Sequence, residues 1–158
     1  MAAANSPANN QEIEERTLVL SRVFDAPRAL VFKAWTQPEH LARWWGPRGF
    51  TLISFKADAQ VGGTFRFGMR SPENTDHWAH GSYREVVAPE RLVYTFAWEH
   101  PDGKPKHETI ITMTFAEQGD KTKLTLKQTL FESVTSRDMH KSGWSSTFDM
   151  LGEYLATI

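Results

Sequence analysis

A long apolar stripe runs along the end of the chain, from Trp144 to Ile158. Its residues recur at alternating steps of four and three, the spacing of one face of an α-helix: Trp144, Phe148, Leu151, Leu155 and Ile158. His140 extends this face upstream by one turn. Thr135 or Ser136 is expected to cap the helix, and Asp138 to place a carboxylate in its first turn. About 22 helical residues span roughly 33 Å, so the rest of the chain must supply a broad apolar surface that covers the stripe.

The preceding residues predict this surface, because most of them alternate between apolar and polar side chains as β-strands do. About seven strands are predicted, over 17–24, 50–57, 64–70, 78–87, 92–98, 109–115 and 124–130. Two short helices are predicted between the first two strands, over 27–35 and 39–45, with Asp25 and Thr36 as their caps. The order β-α-α-β₆-α predicts an α+β fold in which a curved antiparallel sheet wraps around the long C-terminal helix.

The last predicted strand has one apolar and one polar face. Leu124, Leu126, Gln128 and Leu130 are predicted to face inward, whereas Lys123 and the residues that alternate with the inward row face water. Gln128 is the polar member of the inward row, so it needs a hydrogen-bond partner if it is buried. A backbone group or a water molecule is favoured over a ligand as that partner.

Length and composition limit the classes of function. With 158 residues the chain is long enough for one domain, and we predict a disordered tail over 1–15 followed by a single domain over 16–158. The 18 Lys and Arg residues balance 19 Asp and Glu residues, which argues against binding to nucleic acid or to an anionic membrane. No signal-peptide pattern or long apolar run is present, so a cytoplasmic location is expected. The absence of Cys excludes disulfides and thiol catalysis.

Several short motifs occur in an order that resembles a known family. They are Arg-Val-Phe-Asp-Ala-Pro at 22–27, Val-Phe-Lys-Ala-Trp-Thr-Gln-Pro-Glu at 31–39, Trp-Trp-Gly-Pro at 44–47, Gly-Gly at 62–63, Val-Ala-Pro-Glu-Arg-Leu at 87–92 and Gly-Trp at 143–144. In this order, over roughly residues 16–155, the chain resembles the heat-shock-protein-90 ATPase activator-like family. The resemblance implies the helix-grip fold of StAR-related lipid-transfer domains, polyketide cyclases and birch-pollen-allergen-like proteins. In that superfamily a hydrophobic ligand commonly lies between the sheet and the C-terminal helix.

Aromatic side chains are abundant, with 6 Trp, 10 Phe and 3 Tyr. Those on the inward faces either line a cavity for a flat apolar ligand or fill the core. The resemblance favours the cavity, and the predicted ligand-binding residues are Trp45, Phe65, Phe67, Tyr94, Phe96, Trp98, Met113, His140, Trp144 and Phe148. The pair Trp44-Trp45, followed by Gly-Pro, either gates this space or packs as a cap that closes the core, and the cap is favoured.

Three side chains are candidates for proton transfer. His140 either faces the sheet as a polar anchor or general base, or lies exposed at the start of the helix, which we favour. Tyr83 and Tyr94 are candidate hydroxyl donors inside the cavity, as in cyclase relatives. The sequence does not settle whether the protein is an enzyme.

The histidines do not predict a metal site. His77 and His80 are three residues apart on a strand, which places their imidazoles on opposite faces. His100 and His107 flank a loop, but nothing adds the further ligands that zinc requires. We therefore predict neither a metal nor another cofactor.

Three functions compete. The leading hypothesis is binding of a small aromatic, polyketide-like or lipid-like ligand without catalysis, and the second is a cyclase- or hydrolase-type enzyme that acts in the same cavity. Regulation of a chaperone ATPase is favoured least, because the eukaryotic activator that names the family has a further N-terminal domain, and only about 16 residues precede the first strand here. The expected partner is the small hydrophobic ligand, and a homodimer is the other partner considered.

Overall fold

The computed structural model describes residues 6–158, and side chains from residue 11 onward. The elements are α1 (Ser6–Glu15), β1 (Leu18–Phe24), α2 (Arg28–Thr36), α3 (Pro38–Trp44), β2 (Thr51–Ala57), β3 (Thr64–Arg70), β4 (Asp76–Val87), β5 (Arg91–Glu99), β6 (Pro105–Gln118), β7 (Lys121–Thr129) and α4 (Val134–Leu155). All seven predicted strands and the long C-terminal helix are present, so the α+β prediction is confirmed.

The N-terminal segment differs from its prediction. Residues predicted as part of a disordered tail form the helix α1, and residues 1–5 lie outside the described residues. Two arginines connect the end of this helix with other parts of the chain. Arg137 of α4 donates a hydrogen bond to the carbonyl of Glu15, and Arg16 donates to the carbonyl of Phe131 at 3.2 Å.

The seven strands form one antiparallel sheet in the order β1-β7-β6-β5-β4-β3-β2. Register shifts interrupt β2, β4 and β5, and irregularities of this kind bend a sheet. The sheet curves around α4, and the core lies between them. Its largest fully buried side chains include Phe67, Phe115, Phe148, Leu92, Leu124, Leu126 and Leu151. None of the helices that the structure describes is both long and apolar enough to span a bilayer.

The last strand shows the predicted alternation until it ends. Leu124, Leu126 and Gln128 are buried, as predicted. Leu130 was predicted to face inward but is 43% exposed, because the strand has ended and the backbone there adopts a φ of 72°. The next residue, Phe131, is buried in the core instead of Leu130.

The long helix α4 begins at Val134, two residues earlier than predicted. Ser133 is its N-cap, because the Ser133 hydroxyl accepts a hydrogen bond from the Ser136 amide at 3.0 Å. Neither Thr135 nor Ser136 is therefore the cap, and Asp138 lies beyond the first turn. The helix also ends before Ile158, which is 55% exposed and does not continue the buried stripe.

The residues predicted to cap the two short helices α2 and α3 were also wrong. Pro27 and Gln37 occupy the N-cap positions of α2 and α3, and neither uses a side-chain hydrogen bond. Asp25 lies too far upstream to cap α2. Thr36 is the last residue of α2, where its hydroxyl donates to the carbonyl of Phe32 at 2.9 Å and is thereby engaged within its own helix.

Candidate functional site

A pocket of about 300 Å³ lies between the sheet and the first half of α4. The strands contribute Phe67, Met69, His77, Phe96 and Trp98. The helix contributes Met139, His140, Gly143, Trp144 and Thr147. The segment after α3 contributes Trp45, Gly46, Pro47 and Phe50. Most of these side chains are apolar, so the pocket has the composition of a small-molecule site.

Strand alternation explains the aromatic wall on the sheet side. Phe67 and Met69 are two residues apart on β3, and Phe96 and Trp98 are two apart on β5, so each pair projects from one side of the sheet. The ring of Phe67 lies 6.0 Å from that of Phe96 and 5.8 Å from that of Trp98, measured between centroids. Phe67 and Phe96 are buried whereas Trp98 is partly exposed, so the wall runs from the core to the mouth of the pocket.

The two adjacent tryptophans at the end of α3 differ in their surroundings. Trp44 is 3% exposed and donates from its indole nitrogen to the carbonyl of Ala34 at 3.0 Å, as expected of a cap on the core. Trp45 instead borders the pocket, with its ring 5.1 Å from Phe67 and 5.6 Å from Trp144 in edge-to-face contacts. Only the first tryptophan is therefore a cap, and the second forms a wall of the pocket.

His140 lies at the border of the pocket, with both ring nitrogens in hydrogen bonds. Nδ1 is 2.7 Å from the carbonyl oxygen of Ser136, which can only accept, so Nδ1 has the proton. Nε2 therefore accepts the indole N–H of Trp98 at 2.9 Å. Burial lowers the pKa of His140 below its ordinary value of 6.5, although the Ser136 bond and the charge of Glu132 oppose this shift.

This geometry corrects the favoured prediction for His140. The side chain is partly buried and directed at the sheet, whereas the sequence favoured an exposed position at the start of the helix. The lone pair of Nε2 is also occupied by Trp98, so His140 is not a free general base in this conformation. It acts as a link between the helix and the sheet.

Gln128 holds the indole of Trp144 in place from below. Its Oε1 accepts from Trp144 Nε1 at 2.8 Å, and its Nε2 donates to the hydroxyl of Thr109 at 2.8 Å. That hydroxyl in turn donates to the carbonyl of Phe96 at 3.1 Å. The predicted partner, a backbone group or water, is wrong, because two side chains satisfy the buried amide. The chain of hydrogen bonds fixes one wall of the pocket.

The structure divides the predicted ligand-binding residues into two groups. Six border the pocket: Trp45, Phe67, Phe96, Trp98, His140 and Trp144. Four lie in the packed core away from it: Phe65, Tyr94, Met113 and Phe148. The ring of Phe65 is covered by Tyr83 and Tyr94 at 5.8 and 5.4 Å, and the Tyr94 hydroxyl donates to the sulfur of Met113 at 3.6 Å.

Several bordering residues were not predicted: Phe50, Met69, His77, Met139 and Thr147. Met69 continues the alternation of Phe65 and Phe67 on β3, so the sequence did contain a signal for it. Phe50 precedes β2 and has no periodic signal. Met139 is 70% exposed and lies outside the apolar stripe of α4, so its position at the mouth follows from the fold alone.

The candidate catalytic tyrosines lie outside the pocket. Burial raises the pKa of Tyr83, with a smaller contribution from the charge of Asp58. Burial likewise raises the pKa of Tyr94 well above its ordinary value. Neither hydroxyl borders the space that His140 borders. The geometry therefore does not bring these proton-transfer candidates together.

The histidine pair of β4 is split between the two faces of the sheet, as predicted. His77 borders the pocket, whereas His80 Nδ1 lies 2.8 Å from a carboxylate oxygen of Glu99. Glu99 also forms two hydrogen bonds of 3.0 Å with Arg66, and these bonds lower the pKa of the carboxyl. Across residues 6–158 no group of three or more His, Cys, Asp or Glu side chains is arranged to hold a metal ion.

Comparisons with known proteins agree with this architecture. Solved proteins with the same fold include one from Silicibacter pomeroyi (22% identity, TM-score 0.81, 89% of this chain and 98% of that chain covered) and one from Arthrobacter aurescens (23%, 0.81, 92% and 88%). Another, from Chromobacterium violaceum, is 26% identical with a TM-score of 0.75, covering 89% of this chain and 96% of that chain. No curated protein matches the sequence.

The comparison with family models gives the assignment. Residues 25–156 match the model described as Activator of Hsp90 ATPase homolog 1-like protein. This match spans most of the chain, including both short helices, the whole sheet apart from β1, and α4. The family is the one that the sequence motifs resemble, and the fold is its helix-grip fold. The chain therefore belongs to the Activator of Hsp90 ATPase homolog 1-like family.

Proposed function

We propose that this protein binds a small, flat, apolar molecule in the pocket between the sheet and α4. The main support is the space itself, since about 300 Å³ remains unfilled beside the rings of Phe67, Phe96 and Trp144. An apolar protein cavity of about 150 Å³ accommodates benzene, so a space about twice as large fits a ligand of about two fused rings. The volume also falls at the lower end of the range for small-molecule sites.

The polar groups around the pocket favour an apolar ligand. His140 already uses both ring nitrogens, and the hydroxyl of Thr147 donates to the carbonyl of Gly143 at 2.9 Å. His77 is exposed to water where it borders the pocket. None of these groups requires a hydrogen bond from the ligand, so binding gains mainly from burial of the ligand's rings against aromatic side chains.

Gly143 provides a direct test, because it borders the pocket and has no side chain. A Cβ placed there meets no heavy atom within 4 Å, so this position at the border of the pocket has room for a side chain to start. Gly143→Phe is designed to fill the space, and Gly143→Ala is its matched control because it leaves most of the space empty. Both variants replace a glycine inside a helix, so neither is expected to destabilise the free protein.

The assay is a thermal-shift screen of fused aromatic compounds, flavonoids, polyketides and fatty acids. A ligand present at about 100 times its Kd adds about 2.7 kcal/mol, which corresponds to a rise in Tm of about 5–10 °C for a chain of this size. The rise should persist in Gly143→Ala and disappear in Gly143→Phe. Failure of the whole panel, or an undiminished rise in Gly143→Phe, refutes the proposal.

The alternatives have less support. A cyclase- or hydrolase-type reaction needs two titratable groups that converge on one volume, but the lone pair of His140 is occupied and Tyr83 and Tyr94 lie elsewhere. Regulation of a chaperone ATPase rests on the description of the family and on no feature of the pocket. A homodimer and a cytoplasmic location remain predictions from the sequence.

A further inference from the structure

A second compartment of about 380 Å³ lies beside the pocket, next to the first turns of α4. Four residues border both spaces: Phe96, Trp98, Met139 and His140. The residues that border only the second compartment are mostly polar and include Lys106, His107, Thr109, Glu132, Thr135 and Ser136. The two spaces are therefore neighbours that share a wall, and they differ in chemistry.

The hydrogen bond between Trp98 and His140 joins the two sides of this shared wall. Trp98 extends from β5 and His140 from α4, and the Nε1 and Nε2 atoms are 2.9 Å apart. We call this pair the partition. Met139, the other residue that the helix contributes to the wall, is 70% exposed and has a flexible side chain. Rotation of Trp98 breaks only the hydrogen bond of the partition and removes its ring from the shared wall, whereas rotation of His140 would also break its bond to Ser136.

We infer that the pocket and the second compartment are one ligand space, and that its ligand is amphipathic. The ligand's rings lie in the pocket, and an uncharged, hydroxyl-bearing end crosses the partition. This inference rests on the proposed function, which places the rings. The requirement for a hydroxyl follows from the tautomer of His140. Its Nδ1–H donates to the carbonyl of Ser136, so Nε2 has a lone pair and needs a new donor once Trp98 is displaced. A hydroxyl can donate to Nε2 and also accept from the indole N–H of Trp98 that it displaces, whereas an ether or a carboxylate can only accept from Trp98 and leaves Nε2 without a donor.

The second compartment fits an uncharged polar end. One cation, Lys106, and one anion, Glu132, border it, so its formal charges balance. Thr135 and Ser136 also border it, and the hydroxyl group of each can donate to or accept from a ligand. His107 is already engaged, because its Nε2 bonds to the carbonyl of Leu130.

Four probes with the same ring system test the inference: naphthalene, naphthylhexanol, its methyl ether and naphthylhexanoic acid. Their dissociation constants are measured at neutral pH by isothermal titration calorimetry. The alcohol is expected to bind about three- to tenfold more tightly than the ether, since one net hydrogen bond separates the two. It should also bind more tightly than the acid. In NMR spectra, the indole N–H signal of Trp98 should move further when the alcohol binds than when naphthalene binds, because only the alcohol displaces this N–H from Nε2 of His140.

Two variants identify the group responsible. His140→Phe removes the acceptor, so the ratio of the alcohol and ether affinities should fall to about one. Trp98→Phe removes the competing donor, so the ratio should increase. Equal affinities of the unmodified protein for alcohol and ether, or a preference that persists in His140→Phe, overturn the inference. The proposed function still stands if naphthalene binds, whereas failure of naphthalene to bind counts against the proposed function itself.

Discussion

The buried glutamine of β7 provides a quantitative test of how the pocket wall is held. Gln128→Met keeps the length of the side chain and removes its two polar atoms. Trp144 then loses the acceptor of its indole N–H, and both side chains are almost completely buried, so water does not replace it. Thr109 loses a donor but retains its own bond to the carbonyl of Phe96. The change therefore leaves one buried N–H without a partner.

The expected magnitude follows from that single unsatisfied donor. A buried N–H without an acceptor costs about 1–3 kcal/mol. For a chain of this size each kcal/mol lowers Tm by about 2–4 °C, so the variant should melt about 2–12 °C below the unmodified protein. Lys127→Met, the adjacent exposed position of the same strand, is the matched control and should stay within about 0.5 kcal/mol.

Urea unfolding followed by tryptophan fluorescence measures these differences. The loss caused by Gln128→Met should become smaller when Trp144→Phe is already present, because no indole N–H then remains to be left unpaired. A coupling of about 0.5–3 kcal/mol between the two changes is the expected range for residues in one hydrogen-bond network. If Gln128→Met is as stable as the unmodified protein, or costs the same in both backgrounds, the hydrogen bond does not hold the wall and this reasoning fails.

Three other positions give further predictions about stability. The pKa of His140 is lowered in the folded state, so the unfolded chain binds a proton at this histidine more readily than the folded protein does. The contribution of neutral His140 to folding stability is therefore complete above the ordinary pKa of 6.5. It is lost as the pH falls from 6.5 through the lowered pKa of the folded state. Urea unfolding from pH 7.5 down to about pH 5 should show this loss and its absence in His140→Phe. Gly68→Ala should destabilise the protein by about 1–3 kcal/mol, because its Cβ would lie 2.6 Å from the ring of Trp78. That ring cannot easily move away, since the guanidinium of Arg66 covers it at 4.2 Å. Gly143→Ala should instead stabilise the protein by up to about 1 kcal/mol, because the new Cβ meets no atom within 4 Å and alanine favours the helix. Thermal denaturation of both variants checks the two signs, and equal signs contradict the reading of the local space.

The periodic parts of the chain were predictable and the irregular parts were not. Alternation identified all seven strands, and the 3.6-residue period identified α4, because both are set by which faces are buried. The cap of α4 was missed because its first turns have no apolar stripe to mark their start, so Ser133 has no periodic signal. Leu130 was misplaced because alternation continues past the strand in the sequence, while the backbone turns there with a φ of 72°.

The sequence also could not show which inward-facing aromatic residues border the pocket and which lie in the packed core. Phe65 and Phe67 lie on the same face of the same strand, and both are buried. Only Phe67 borders the pocket, because the ring of Phe65 is covered by two tyrosines from β4 and β5. Alternation gives the face of a sheet, but the depth of a residue under the helix depends on the pairing of strands that are distant in sequence.

The pocket lies beside the first turns of α4, where the apolar stripe has not yet begun. From Trp144 onward, bulky side chains fill the space above the sheet, and Phe148 and Leu151 are completely buried. Immediately before Trp144 the helix has Gly143, which has no side chain, and one turn before Trp144 it has His140, whose ring is held against Trp98. The aromatic wall of the sheet continues beneath this part of the helix, so nothing opposite it fills the gap. An unfilled apolar space is costly to maintain, since its lining loses packing contacts, and a ligand that restores those contacts offsets the cost. The proposed ligand site therefore lies beside the N-terminal half of α4, whereas the C-terminal half is packed into the core.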